Sequence, residues 1–236
     1  MTKLPAKSSS PDVAAFLAKV KAMPSVRAAG STGRLIFALD ATASRQPMWD
    51  HACKLQGEMF QATEGLGPLH VQLAWYRGLG EFEASGFVMN SRDLVARMTE
   101  VSCAAGETQL ERVLAHAIAE TRRAKVNALV FVGDAMEETD DRLTKLAGEL
   151  GLLGVACFMF QEGKDPAARV AFERIARLSG GAYCPFDAGS AELLRDLLAA
   201  VATFAVGGRP ALEDFAKRRG GELLRLTRQV GKPRAP

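Results

Sequence analysis

From Arg34 onward the chain alternates between two hydrophobic rhythms. Short runs dominated by Val, Ile, Leu and Phe predict strands at Leu35–Leu39, His70–Tyr76, Glu81–Val88, Ala128–Val132, Gly154–Phe160 and Ala182–Phe186. Between them, apolar residues recurring every three or four positions predict helices at Pro47–Thr63, Ser91–Thr99, Thr108–Arg123, Asp140–Glu149, Pro166–Leu178 and Ala191–Ala205. The strands Leu35–Leu39 and Ala128–Val132 are apolar at every position, as strands covered on both faces are. Glu81–Val88 follows its predecessor after only Arg77-Gly78-Leu79-Gly80, a link that suits a hairpin and therefore an antiparallel edge strand. The pattern predicts an α/β fold: a doubly wound, mostly parallel sheet with one antiparallel edge strand and helices on both faces.

The alternation bounds a domain at residues 34–206. Residues 1–33 form an N-terminal extension with one predicted short helix, Asp12–Met23, opened by Ser10-Pro11 and closed by Pro24. Gly207-Gly208-Arg209-Pro210 ends the alternation, and 207–236 is expected as a basic C-terminal appendage with helical spacing of Leu212, Phe215, Leu223, Leu224 and Leu226. The longest apolar run, Leu150–Phe160, is shorter than a membrane span and reads as a buried strand. The first residues lack the apolar core of a secretory leader, so a cytoplasmic location is expected.

Composition excludes several classes of chemistry. At 48% hydrophobic and 24% charged residues the 236-residue chain is that of a folded globular protein. Cys53, Cys103, Cys157 and Cys184 are widely spaced with no CxxC pair, which argues against zinc and redox motifs and for inert reduced thiols. His51, His70 and His116 are equally scattered and suggest no histidine-based metal or general-base centre. The net charge of +3 conceals an acidic body between two basic ends: five basic and one acidic residue in 1–33, eight and three in 207–236, seventeen and twenty-three between. That distribution is not the basic face of a nucleic-acid-binding domain, and aromatic residues that would stack on bases are missing after Phe215.

Ligands of doubly wound sheets bind beyond the carboxyl ends of the strands. Asp40-Ala41-Thr42-Ala43-Ser44 follows the first strand, Asp134 follows Ala128–Val132 and Gly133, and Thr108 sits where a helix pattern begins. Two carboxylates and three hydroxyls, without histidine or thiolate, suit a hard divalent cation: magnesium above all, with manganese or calcium as alternatives. Each residue alone also fits ordinary capping, Thr108 and Ser44 included. The acidic run Glu137-Glu138-Thr139-Asp140-Asp141 is expected to complement the dipole of the helix that follows it. Trp75 and Tyr76, ending a strand, read as edge packing.

The stretch Arg34–Ser44, RLIFALDATAS, resembles the opening strand and metal loop of the von Willebrand factor A domain family. That family's metal-ion-dependent adhesion site uses an Asp-x-Ser-x-Ser loop, a distant Thr and a further Asp. Asp40, Thr42 and Ser44 match the loop with Thr for the middle Ser, Thr108 in GETQLERVLAHAI resembles the second element, and Asp134 in VFVGDAMEE the third. ERIARLSGGAYCPFDAGSAELLRDLL is similar to the last helix, strand and helix of such domains, so the resemblance covers about residues 34–206. It implies a module without catalysis of its own, binding a partner's Asp or Glu through a divalent cation held by Asp40, Thr42, Ser44, Thr108 and Asp134. Bacterial members of the family often work beside AAA-type ATPases, which makes such a system an expected partner. A fainter resemblance is to haloacid-dehalogenase-like phosphotransferases, with Asp40 as nucleophile and Gly133-Asp134 near magnesium. There the acid–base Asp expected two positions on is Thr42, and Lys125 stands at the wrong end of its strand to clamp a phosphate.

Overall fold

The computed structural model describes residues 32–43, 46–55, 57–63, 65–186, 191–219 and 222–230. The predicted helix Asp12–Met23 and Ser44 lie outside the described residues. Six strands, β1 (Gly33–Asp40), β2 (Leu69–Arg77), β3 (Glu81–Ala84), β4 (Ala128–Gly133), β5 (Ala156–Glu162) and β6 (Ala182–Phe186), form one sheet in the order β3-β2-β1-β4-β5-β6. All neighbours pair in parallel except β2 and β3, the predicted antiparallel edge. The chain turns back on itself between β1 and β4, so their carboxyl ends flank the topological switch point.

Successive side chains point to opposite faces, and both faces are apolar. Leu35, Phe37, Leu39, Val130, Phe158 and Phe160 face one core, while Ile36, Ala38, Leu129, Phe131 and Met159 face the other. The first core is covered by α1 (Gln46–Leu55), α2 (Gly57–Ala62), α3 (Ser91–Thr99) and α7 (Ala191–Arg219), the second by α4 (Leu110–Arg123), α5 (Asp140–Leu152) and α6 (Pro166–Ser179). Each fully buried Leu, Ile or Phe contributes roughly 1.5–3 kcal/mol, so the two cores rather than local propensity hold the layers together. The caps follow sequence rules: Asn90 accepts the N–H of Asp93 at the start of α3, and Asp165 accepts that of Ala168 before Pro166 at the start of α6.

Several boundaries differ from the sequence reading. The pattern over Pro47–Thr63 is two helices, with Gly57 opening the second. β3 stops at Ala84 because Ser85 bulges: its Oγ accepts the N–H of Leu73, its own N–H reaches the Leu73 carbonyl, and Val88 rejoins β2 at Val71. The run Leu150–Phe160 is not one strand, since α5 continues to Leu152 and β5 starts only at Ala156 after Gly154 in the left-handed region (φ 67°).

The segment beyond Gly207, expected as an appendage, packs into the body of the protein. α7 continues to Arg219 through a kink at Gly208 (φ 69°, ψ −164°), and α8 (Glu222–Gln229) follows. Leu212, Ala216, Leu226 and Val230 are buried in the first core. The Gln229 side chain accepts the Tyr183 N–H at 2.8 Å and donates to its carbonyl at 3.1 Å, standing in for a strand beside β6.

Candidate functional site

Asp40 is the last residue of β1 and is 3% exposed. Its Oδ1 accepts the N–H of Thr42 at 2.8 Å, which turns the chain sharply as it leaves the strand. Ala41 then bridges two neighbours: its N–H donates to the Tyr76 carbonyl, and its carbonyl accepts the N–H of Ala104. Thr42 pairs with Ala104 in an isolated bridge, so the β1–α1 loop lies against the loop leading to Thr108. In the register of β1 on β4, Leu39 faces Val132, which places Asp40 and Asp134 at adjacent strand ends, with sheet strands about 4.8 Å apart.

Thr108 joins the same edge from the other side. Its Oγ1 accepts the N–H of Glu137, and its N–H donates to the Glu137 carboxylate, both at 3.1 Å. The helix predicted to begin at Thr108 begins at Leu110 because these two bonds turn the preceding backbone towards the β4–α5 loop. Glu138, from that loop, accepts the N–H groups of Leu110 at 2.6 Å and Glu111 at 2.8 Å. Glu137 and Glu138 therefore serve the N-terminal end of α4, not the helix that follows them; only Asp140 and Asp141 stand in the first turn of α5. Sequence gave no signal for this, since the bonded partners are 27 to 29 residues apart.

The loop before α4 is also pinned to the β2–β3 turn. Glu107 N–H donates to the Gly78 carbonyl, and Gln109 Nε2 to the carbonyls of Arg77 and Gly78. A Cβ on Gly106 would sit 2.3 Å from the Gly78 nitrogen, so only glycine permits this approach. The turn is held from below by Arg112, whose Nη1 donates to the Gly80 carbonyl at 2.7 Å.

Tyr76 is neither edge packing nor exposed. β2 lies inside the sheet, and Tyr76 pairs in register with Asp40 and is fully buried. Its ring stacks on Phe131, which in turn meets Phe172 edge-on at 5.4 Å. Its hydroxyl has no hydrogen-bond partner of good geometry among the described residues, although Asp40 lies within reach of it. Burial pushes the phenol well above the ordinary tyrosine range, and the charges of Asp40, Glu138 and Asp134 push it further.

Of the five residues read as metal ligands, Asp40, Thr42, Thr108 and Asp134 come to one edge of the sheet, and Ser44 lies outside the described residues. Among the described residues no three His, Cys, Asp or Glu side chains form a metal-binding group, so any cation here depends on hydroxyls beside two carboxylates. Such an oxygen set fits magnesium or manganese, which take one or two carboxylates and fill the remaining places with hydroxyls, waters or an outside oxygen. Two of the thiols are poorly reactive: burial raises Cys157 to about 12, and burial with the neighbouring Asp50 and Cys103 raises Cys53 to about 11. Lys125 donates to the carbonyls of Leu153 and Gly154, before the start of β4, at the opposite end from Asp134.

No protein-family model matches the sequence, and no curated protein matches it. Solved structures do match in fold. The chain is similar to a von Willebrand factor type A protein from Catenulispora acidiphila, with a TM-score of 0.60 at 16% identity over 73% of this chain and 43% of that one. It is similar to the SpRpn10 VWA domain, with a TM-score of 0.54 at 10% identity over 70% of this chain and 93% of the other. A third likeness is to proximal thread matrix protein 1 from the mussel byssus with zinc-occupied MIDAS motif, at 13% identity and a TM-score of 0.52 over 74% and 46% of the two chains. The match thus spans less than half of the Catenulispora chain. The chain has the fold of a von Willebrand factor A domain, a mostly parallel six-stranded sheet between two helical layers.

Proposed function

We propose that this protein is a divalent-cation-dependent protein-interaction module with no catalysis of its own. The observation that carries the reading is that Asp40, Thr42, Thr108 and Asp134 lie in neighbouring, hydrogen-bonded loops at the carboxyl edge of β1 and β4. With Ser44 from the same loop, these residues would hold magnesium or manganese. A bound cation supplies a Lewis-acidic place for an oxygen from outside the protein.

The chain's own residues set the conditions for that exchange. Asp40 is kept in one orientation by the Thr42 N–H, and Thr108 is kept at the edge by its two bonds to Glu137. Glu107 and Glu137 are exposed and acidic, so without a cation this edge repels an acidic partner. Asp40 and Asp134 balance a doubly charged ion, which leaves the centre neutral enough to accept a partner's Asp or Glu. The fold resemblance to SpRpn10 and to the MIDAS-bearing mussel protein supports the same reading. An AAA-type ATPase system remains the partner we propose to test first.

A phosphotransferase reading needs a cation near the Asp40 carboxylate and an acid–base group two positions on. Thr42 occupies that position, and Lys125 is held at the far end of the sheet. The test is retention of partner proteins on immobilised full-length chain in magnesium. Retention that EDTA reverses and Asp40→Ala abolishes is the expected result. Retention at full strength without a divalent cation, or a phosphoryl-aspartate analogue trapped at Asp40 by beryllium fluoride, would overturn it.

A further inference from the structure

Two buried polar atoms near this edge, the Tyr76 hydroxyl and Gln109 Oε1, have no hydrogen-bond partner among the described residues, and of the two Tyr76 stands beside Asp40 in the strand register. Buried polar groups in proteins are almost always hydrogen-bonded, and those left over commonly mark a place where something else completes the set. Tyr76 is fully buried, its ring fixed against Phe131, and its hydroxyl has no partner of good geometry among the described residues. Asp40, its partner in the β1–β2 register, is within side-chain reach of it. A tyrosine hydroxyl can donate a hydrogen bond to a carboxylate oxygen.

The register explains why Asp40 is the carboxylate concerned. Tyr76 and Asp40 are paired residues of adjacent parallel strands, so both side chains leave the sheet on the face covered by α4. The backbone repeats the link, since the Tyr76 carbonyl accepts the N–H of Ala41. The Thr42 N–H already engages Asp40 Oδ1. A donor from a rigid, buried ring would add to that restraint on the carboxylate.

We propose that Tyr76 is a positioning residue of the metal centre, donating its hydroxyl hydrogen to Asp40 when a divalent cation is held there and so fixing the carboxylate for ligation. The proposal rests on the metal-binding reading given above. Partners of this kind, which touch a ligand and not the ion, typically change metal affinity by about 10–100-fold when removed. Phenylalanine keeps the ring and its stacking on Phe131 while deleting only the hydroxyl. Without a cation the hydroxyl is poorly satisfied, so its removal should leave the metal-free protein at least as stable as wild type.

The experiment is manganese titration calorimetry and thermal unfolding, with and without manganese, on full-length wild type, Tyr76→Phe and Asp40→Ala. The expected result is roughly tenfold weaker manganese binding in Tyr76→Phe, a smaller manganese-induced rise in its unfolding midpoint, and no loss of midpoint in its metal-free form. If wild type binds, Asp40→Ala does not, and Tyr76→Phe binds as wild type does, the positioning role is wrong while the metal centre stands. A Tyr76→Phe protein destabilised equally with and without manganese makes the hydroxyl structural and also overturns the role. Absence of manganese binding to wild type removes the metal centre and the proposal together.

Discussion

That Asp40, Thr42 and Asp134 stand at the carboxyl edge of the sheet was legible in the sequence because each closely follows an apolar strand, whereas Thr108 was placed with them by the family resemblance. Tyr76, Glu137 and Glu138 were not legible, because their roles depend on partners brought near only by folding. Tyr76 meets Asp40 across 36 positions of chain through strand register, and Glu138 reaches the Leu110 N–H across 28. His116 is a further case: its Nε2 faces Gln72 Oε1 at 2.9 Å, and Phe82 packs on its ring. Burial lowers its pKa from the usual 6.5; Glu120 opposes that shift and Arg123 adds to it. Its folded pKa lies below its unfolded one, so the group costs nothing above pH 6.5 and destabilises the fold as pH falls through that value. Unfolding midpoints of wild type and His116→Gln, compared from pH 7.5 to 5.5, should show a steeper fall in wild type. Parallel falls would remove His116 as the cause.

The elements themselves were mostly read correctly from periodicity, with α3 at Ser91–Thr99 matching its predicted bounds. Errors gathered where an element's end is set by another element. α4 starts two residues late because Glu137 and Glu138 take the backbone groups that precede and open it. Replacing Glu138 by Ala leaves two N–H groups at the start of α4 without their acceptor, and should cost about 1–3 kcal/mol in chemical denaturation. A change below a few tenths would show that water replaces the carboxylate without loss. Gly106 sets the second constraint on the same loop. Gly106→Ala forces its Cβ against Gly78 backbone, which should destabilise by about 1–3 kcal/mol and weaken manganese binding as the loop bearing Thr108 moves. Wild-type stability and affinity in that variant would mean the close approach is dispensable.

For the molecule as a whole, the mostly parallel sheet, its single antiparallel edge and its two apolar faces followed from the sequence, since both-face burial writes itself as uninterrupted apolar runs; the strand order came only with the structure. The role of the C-terminal segment did not. Its basic residues and Gly207-Gly208 suggested a tail, whereas Leu212, Leu226 and Val230 bury themselves in the core and Gln229 covers the β6 edge. With total stability of a domain usually about 5–15 kcal/mol and each buried aliphatic side chain worth roughly 1.5–3, a chain ended after Val206 should lose cooperative unfolding and associate through its opened edge. A monomeric 1–206 fragment with the wild-type midpoint would contradict that. The described helices include none long and apolar enough to cross a membrane. The proposed function needs Asp40, Thr42, Thr108 and Asp134, which hydrogen-bonded loops bring to one edge of the sheet, to hold one divalent cation together. The most direct test of that claim is calorimetric titration of magnesium and manganese into full-length wild type, Asp40→Ala and Asp134→Ala, each checked for cooperative unfolding. One divalent site in wild type and none in either folded variant is the expected result; equal binding in all three would contradict it.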